Sequence, residues 1–214
     1  MNSSPQSSPL DEEERRNAGP ALSAVLLAGG ESRRMGQDKA TLLFHGKLLW
    51  EIQLELLQRL EPAEIFVSAK TDPAWRPADF HFVIDNPPSR GPLSGIAASL
   101  AQIHTSHLFA LAIDMPFMSE NYLRYLCDQI EPGVGVLPKI GNRAEPLAAI
   151  YPREASAAFD SALAGTDFSL QSIVCRLVES GRLREVPVKE HETKLFLNVN
   201  ELSDLQSTEI RRAL

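Results

Sequence analysis

The sequence predicts a three-layer α/β domain with a mostly parallel central sheet. Short, nearly continuous apolar runs recur along the chain, which is typical of strands buried on both faces. Amphipathic segments of helical period separate several of these runs, and this strand and helix alternation favours parallel pairing. The chain of 214 residues is within the size range of one domain. We therefore expect a single domain over residues 20–214, preceded by a disordered tail at residues 1–19.

The individual elements follow from the same patterns. Strands are predicted at residues 21–28, 65–69, 80–84, 108–113, 134–137 and 147–151. Helices are predicted at residues 48–60, 93–103 and 120–130. The later chain is less regular, with amphipathic stretches at 153–163 and 170–180, strand-like stretches at 183–188 and 195–199, and a last helix after Asn200. No repeat and no linker divides the chain after Gly19.

Composition excludes several functional classes. The formal net charge of -7 and a pI near 5.3 argue against a nucleic-acid-binding protein, which normally carries a basic face. No apolar run approaches the roughly 18 residues of a membrane helix, and the first twenty residues lack the apolar centre of a signal peptide. We therefore expect a cytoplasmic protein with neither nucleic-acid nor membrane partners.

The stretch 27–39, Leu-Ala-Gly-Gly-Glu-Ser-Arg-Arg-Met-Gly-Gln-Asp-Lys, is the strongest indication of function. Its paired glycines, Gly29 and Gly30, follow the first strand at the edge where open α/β sheets bind ligands, and glycines allow backbone N–H groups to approach an anion. A tight turn would explain the glycines alone. Arg34 and Lys39 add fixed cations that suit phosphate oxygens, so a triphosphate site is the preferred interpretation. The loop lacks both the Walker A ending and the dinucleotide-binding fingerprint.

Asp114 begins a second motif, Asp-Met-Pro, directly behind the predicted strand 108–113. A carboxylate at that position is well placed to bind Mg²⁺ that also contacts nucleotide phosphates. The alternative is a helix N-cap, a common role of aspartate before a turn. Pro116 weakens the simple cap interpretation, and we prefer the metal.

A third motif combines Asp85 with the helix start at 91–95, Gly-Pro-Leu-Ser-Gly. Asp85 could accept hydrogen bonds from the ring N–H and the amine of guanine, and the helix start could offer N–H donors. Gly91 and Pro92 are equally consistent with an ordinary helix start. Asp85 alone does not decide between a base-binding site and an ordinary helix start.

Two weaker motifs lie in the later half of the chain. Arg143, Glu145 and Pro146 could receive an acceptor phosphate, or could form a surface salt bridge. Asn198 and Asn200 could contact a ligand, although capping of the closing helix is slightly preferred.

Taken together, these motifs resemble those of the molybdenum cofactor guanylyltransferase family, which belongs to the nucleotidyltransferase superfamily and attaches GMP to molybdopterin. The matching positions are 27–30, 33–36, 38–39, 47–50, 85, 91–95, 114–116, 143–147 and 196–200. The resemblance implies a Rossmann-like nucleotidyltransferase fold. It also implies GTP contacts from Leu27, Ala28, Gly29, Lys39, Ser68, Asp85 and Asp114, with Asp114 also holding Mg²⁺. Ser68 departs from an asparagine of some members.

The implied reaction is an in-line attack by a terminal phosphate oxygen of molybdopterin on the α-phosphorus of GTP. Gly29 and Gly30 would hold the phosphates, and Arg34 and Lys39 would offset developing charge. Asp85 and the turn at Gly91 would select the base. The family further implies cofactor-insertion proteins and molybdoenzymes as partners of the product. A cytidylyltransferase, another nucleotidyltransferase, or a GTP-binding protein without turnover remain alternatives, although Gly30 and the 91–95 motif favour guanine over cytosine.

Overall fold

A computed structural model describes residues 21–29, 38–85 and 89–199. The strands are β1 (Leu22–Leu27), β2 (Leu43–Phe44), β3 (Lys47–Leu48), β4 (Glu64–Ala69), β5 (His81–Ile84), β6 (His107–Ala112), β7 (Gly135–Ile140), β8 (Arg143–Ala144), β9 (Ala148–Pro152) and β10 (Leu183–Pro187). The α-helices are α1 (Leu49–Gln58), α2 (Pro92–Leu100), α3 (Glu120–Cys127), α4 (Ser156–Ala164) and α5 (Leu170–Glu179). Short 3-10 helices cover Lys39–Thr41, Arg153–Ala155 and Glu190–Phe196. The predicted tail at 1–19 and the predicted helix after Asn200 lie outside the described residues.

The described strands form one eight-stranded sheet in the order β10-β7-β9-β6-β1-β4-β5, with β8 paired to β7, and a separate hairpin of β2 and β3. Strands β6, β1, β4 and β5 are parallel neighbours, and β10 is parallel to β7. Strand β9 is antiparallel to both β6 and β7. The predicted mostly parallel sheet is therefore confirmed.

Strand β1 shows why its sequence is continuously apolar. Ala24 and Leu26 face a buried cluster that includes residues of α1 and α3, whereas Val25 and Leu27 face a second cluster with residues of α2, α4 and α5. Because both faces of the strand are covered, no position alternates to solvent. Full burial of each such side chain contributes about 1.5–3 kcal/mol. The two clusters confirm the three-layer architecture.

Helix α2 lies close against the sheet at Gly95, where no side chain intervenes. A Cβ atom built on Gly95 would lie 3.0 Å from Leu27 Cδ2 and would overlap the Ser68 side chain. The helix starts at Pro92 after Gly91, whose φ of 66° is in the region that favours glycine. This start is therefore fixed over the ends of β1 and β4.

One predicted strand and the ends of three predicted helices need correction. The predicted strand at 195–199 is wrong, because a 3-10 helix covers Glu190–Phe196 and Lys189 N donates to Glu192 Oε2 at its start. Phe196 packs edge-on against Tyr122, 5.4 Å between ring centroids. The predicted helices 48–60, 93–103 and 120–130 also end earlier, at Gln58, Leu100 and Cys127. None of the described helices has both the length and the apolar character needed to cross a membrane.

Candidate active site

Four adjacent parallel strands place the predicted nucleotide residues at one edge of the sheet. Asp114 follows β6, Gly29 follows β1, Ser68 lies near the end of β4, and Asp85 follows β5. The carboxyl ends of such strands are the usual ligand-binding edge of an open α/β sheet. A cleft at this edge is lined by Leu27, Ala28, Gly29, Lys39, Ser68, Asp85, Gly91, Pro92, Gly95, Ala112, Ile113, Asp114 and Leu147.

Lys39 and Asp114 form an ion pair at the mouth of this cleft. Lys39 Nζ lies 3.3 Å from Asp114 Oδ2, and each side chain is 19% exposed. Lys39 is carried by the 3-10 turn Lys39–Thr41, which Asp38 caps by accepting a hydrogen bond from Ala40 N at 3.0 Å. The pair joins a cation and a carboxylate, the two charges that a metal-bound triphosphate would engage.

The turn that presents Asp114 is held by neighbouring elements. Val199 N donates to the Asp114 carbonyl oxygen at 2.8 Å, and Gln53 Nε2 donates to the Met115 carbonyl oxygen at 2.6 Å. The N-cap of helix α3 is Ser119, whose hydroxyl accepts from Tyr122 N. Asp114 is therefore not a cap of that helix, and its carboxylate is directed to Lys39.

Asp85 is a buried carboxylate with two hydroxyl donors. It is 3% exposed, Ser68 Oγ donates to Oδ1 at 2.7 Å, and Ser89 Oγ donates to Oδ2 at 3.1 Å. A Cβ atom on Gly29 would lie 2.6 Å from Asp85 Oδ2. The glycine is thus required for the carboxylate to occupy this position. Sequence reasoning missed Ser89, whose only signal is its location just before the helix-start motif.

The start of helix α2 borders the cleft through Gly91 and Pro92. Gly91 N donates to Ser89 Oγ at 3.2 Å, and Arg90 N donates to Ser94 Oγ at 2.9 Å. These two N–H groups are already bonded within the protein. These two groups are therefore not among the unpaired N–H donors that the sequence predicted for the helix start, which contributes the shape of the cleft wall.

The predicted acceptor segment 143–147 lies alongside β7 and reaches the end of β6 at Leu147. The 143–147 segment runs from β8 into β9, and Ala112 N donates to the Leu147 carbonyl oxygen at 2.8 Å. Glu145 is 8% exposed, and this burial raises its pKa above the ordinary value although Arg143 opposes the rise. Arg143 is largely exposed, with Nε 3.7 Å from Glu145 Oε1, so the alternative salt bridge is present but loose.

Of the remaining predicted site residues, two lie in the described part of the chain and three lie outside it. The Pro146 carbonyl oxygen accepts from the Tyr151 hydroxyl at 2.7 Å, and exposed Asn198 directly precedes Val199, which bonds to Asp114. Gly30, Arg34 and Asn200 lie outside the described residues. In the described part of the chain, no group of three or more His, Cys, Asp and Glu side chains could hold a metal ion by itself.

Comparison with known proteins agrees with this geometry. Residues 24–179 match the MobA-like NTP transferase domain family. A probable molybdenum cofactor guanylyltransferase of Opitutus terrae is 32% identical over 187 residues, covering 86% of this chain and 93% of the relative. A molybdenum cofactor guanylyltransferase of Syntrophotalea carbinolica is also 32% identical, over 190 residues that cover 86% of this chain and 89% of the relative.

A solved structure supports the same relationship. The molybdopterin-guanine dinucleotide biosynthesis protein A of Archaeoglobus fulgidus has a TM-score of 0.67 and 26% identity, covering 90% of this chain and all (100%) of the relative. A nucleotidyl transferase of Methanothermobacter thermautotroptrophicus, with a TM-score of 0.72 and 16% identity, covers 90% of this chain and 98% of its own and shares the fold. The family match, the two relatives and the cleft lead to one conclusion: the chain belongs to the family of MobA-like NTP transferases.

Proposed function

We propose that this protein transfers GMP from GTP to the terminal phosphate of molybdopterin or its molybdenum-bound form, releasing pyrophosphate. The observation that carries the proposal is the cleft that joins the Lys39–Asp114 pair to the buried carboxylate of Asp85. Relatives that are named molybdenum cofactor guanylyltransferases match 86% of the chain. The reaction would take place in the cytoplasm.

The chemistry is an in-line displacement. An oxygen of the acceptor phosphate forms a bond to the α-phosphorus of GTP, and the bond from that phosphorus to the bridging oxygen of pyrophosphate breaks. Because a phosphate monoester dianion is already nucleophilic, the protein needs no strong base. Its residues position the reactants and offset negative charge. Lys39 would neutralise charge on the departing pyrophosphate, aided by Arg34, and the backbone at Gly29 and Gly30 would contact the phosphates.

Mg²⁺ fits the donors at the mouth of the cleft. This ion prefers oxygen ligands and is usually held by one or two carboxylates together with substrate phosphates and water. Asp114 offers such a carboxylate, only partly exposed and facing Lys39. We propose that Asp114 holds Mg²⁺, which would supply Lewis-acid stabilisation of the phosphoryl oxygens.

Asp85 is suited to guanine. The hydroxyls of Ser68 and Ser89 fix its two oxygens, and each carboxylate oxygen retains a second lone-pair site. Guanine presents a ring N–H beside an exocyclic amine, two donors that match one carboxylate. Cytosine presents an amine beside a ring acceptor, which would face the carboxylate with an unfavourable lone pair. Asp85 would therefore select GTP over CTP, with Leu27, Ala28 and Gly91 forming the adjacent wall.

We assign molybdopterin to the side of the cleft nearest β9. Arg143, Glu145, Pro146 and Asn198, with Asn200 beyond the described residues, would contact the acceptor. This side of the cleft is separated from Asp85 by the ends of β6, β1 and β4, so nucleotide and acceptor would approach from different strands. The finished cofactor would then pass to cofactor-insertion proteins and molybdoenzymes.

An assay of nucleotide specificity tests the proposal. The protein is incubated with Mg²⁺, molybdopterin and one of GTP, CTP, ATP or UTP, and pyrophosphate and the dinucleotide product are quantified. We expect both products with GTP and little with the others. Transfer with CTP but not GTP would overturn the base assignment. Tight GTP binding without either product would instead identify a nucleotide-binding protein without turnover.

A further inference from the structure

We infer that Trp75, in the β4–β5 connection, positions Lys39 by holding the carboxylate of Asp38. Trp75 Nε1 donates a hydrogen bond to Asp38 Oδ2 at 2.9 Å. The two residues are 37 positions apart in sequence, so this contact links the turn that carries Lys39 to a separate loop. The inference rests on the proposed function only in taking Lys39 as a triphosphate ligand.

Asp38 divides its two carboxylate oxygens between two tasks. Oδ1 accepts from Ala40 N at 3.0 Å and so caps the 3-10 turn Lys39–Thr41. Oδ2 accepts from the Trp75 indole. A three-residue turn has too few internal hydrogen bonds to hold its own orientation. The indole contact fixes the plane of the carboxylate, and the carboxylate fixes the start of the turn.

The indole of Trp75 is itself held firmly. Its ring stacks on Trp50 of helix α1, with centroids 5.6 Å apart and planes 17° from parallel. The next residue, Arg76, donates to Asp72 Oδ1 at 2.7 Å and also to the Phe80 carbonyl oxygen. Trp75 is therefore supported by helix α1 and by its own loop in addition to its contact with Asp38.

The result is a chain of contacts that ends at the proposed chemistry. Trp75 holds Asp38, Asp38 caps the turn, and the turn sets Lys39 Nζ 3.3 Å from Asp114 Oδ2. Lysine has a flexible four-carbon side chain and depends on its backbone for direction. Loss of the indole donor would let Lys39 occupy a wider range of positions, which would weaken the binding of the triphosphate more than the binding of the acceptor.

The stacked pair supplies a matched control. Trp50 Nε1 is buried and has no hydrogen-bond partner in the structure as described, whereas Trp75 Nε1 is bonded to Asp38. Each of Trp50→Phe and Trp75→Phe replaces one indole of the stack by a phenyl ring, which can still stack, but only Trp75→Phe removes the contact with Asp38. Asp38→Asn is a second variant, because its amide oxygen can still cap the turn while its NH₂ group would face the indole donor.

The experiment measures steady-state transfer and GTP affinity for the wild type, the three single variants and Trp75→Phe with Asp38→Asn. We expect Trp75→Phe and Asp38→Asn each to raise KM for GTP by about five-fold, the scale of one partly exposed hydrogen bond to a charged group. KM for molybdopterin should stay unchanged, and Trp50→Phe should stay within about two-fold of wild type. The KM of the double variant for GTP should be no higher than that of the more impaired single variant, since both substitutions break the same contact.

Two results would overturn the positioning role. One is an equal rise in KM for GTP in Trp50→Phe and Trp75→Phe. The other is a rise in the double variant equal to the product of the rises in Trp75→Phe and Asp38→Asn. Calorimetric titration with GTP and Mg²⁺ gives the same ranking without turnover. If the wild type binds GTP but makes no product, the proposed function fails while the ranking of affinities still decides the role of Trp75. If Trp75→Phe does not fold, Asp38→Asn carries the comparison alone.

Discussion

A single methyl group at position 29 would conflict with the observed position of the Asp85 carboxylate. Because a Cβ atom on Gly29 would lie 2.6 Å from Asp85 Oδ2, Gly29→Ala must displace the carboxylate or the backbone after β1. We expect this variant to lose at least about ten-fold in kcat/KM for GTP, the scale of one misplaced binding group. Steady-state transfer kinetics measure the loss. Gly165→Ala is the control, since its Cβ atom would meet only Ser161 O at 3.4 Å and Ala162 O at 3.5 Å. Equal activity of the two variants would contradict the argument.

Asp114 is the residue on which the metal assignment depends. Asp114→Asn keeps the shape of the side chain but removes the charge that would bind Mg²⁺ and that faces Lys39. We expect transfer to fall by about 100-fold or more, as for loss of a central electrostatic group, with little change in thermal unfolding. Mn²⁺ binding followed by electron paramagnetic resonance provides a readout independent of turnover. Asp160→Asn on helix α4 is the control, because Asp160 is exposed and does not line the cleft. Undiminished Mn²⁺ binding by Asp114→Asn would remove Asp114 as the ligand.

At the scale of elements, helix α1 contributes to the site through one buried amide. Gln53 is fully buried, its Nε2 bonds to the Met115 carbonyl oxygen, and its Oε1 has no partner among the described residues. Gln53→Leu removes this half-satisfied amide, so stability should stay within about 1 kcal/mol of wild type. The turn that carries Asp114 would lose its link to the helix. We therefore expect a several-fold higher Mg²⁺ concentration for half-maximal transfer, on the order of the loss of one hydrogen bond.

The matched control for this helix is Gln58→Leu, which changes an exposed glutamine of the same helix. Magnesium titrations of transfer activity measure the Mg²⁺ requirement of each variant, and urea denaturation measures its stability. A Gln53→Leu protein that is destabilised but has an unchanged Mg²⁺ requirement would show that the amide serves folding alone.

Sequence patterns identified the elements whose environment is uniform. Strands β1 and β6 were predictable because both of their faces are buried, which leaves a continuous apolar run. The antiparallel direction of β9 could not be predicted, since an apolar run carries no information about strand orientation. The stretch at 195–199 has strand-like residues, yet Val199 N bonds to the Asp114 carbonyl oxygen instead of to a neighbouring strand. Tertiary contacts, rather than the strand preference of its residues, determine the conformation of this segment.

At the scale of the whole molecule, the candidate site residues were predicted from local signals. Lys39 was predicted from the cations behind the paired glycines, Asp85 from its place before the 91–95 motif, and Asp114 from its position after a buried strand. The structure brings all three to one cleft. Ser89 and Trp75 could not be found, because their contacts depend on how loops of different length fold back onto Asp85 and Asp38. Such contacts leave no periodic signal in a single sequence.

The opposite edge of the sheet contains a titrating group that makes the stability of the whole domain depend on pH. His107 begins the central strand β6 and is fully buried, with Nε2 3.2 Å from the Val134 carbonyl oxygen and Nδ1 2.9 Å from Ser106 Oγ. Burial lowers its pKa below the ordinary value near 6.5, although the bond to Val134 opposes this shift. The folded state therefore prefers the neutral imidazole.

Since the pKa of His107 is lower in the folded state, the unfolded chain takes up the proton first as the pH falls. The stabilisation is complete above about pH 6.5 and is lost as the pH drops through 6.5 toward the folded-state pKa, with a slope of at most about 1.4 kcal/mol per pH unit for one proton. His107→Gln should remove this part of the pH dependence, and His191→Gln, at a mostly exposed side chain, should retain it. Urea denaturation of the three proteins at pH 7.5, 6.5 and 5.5 gives the free energies of unfolding. Parallel pH profiles for wild type and His107→Gln would show that His107 keeps an ordinary pKa in the folded protein, and that the acid sensitivity of this fold arises elsewhere.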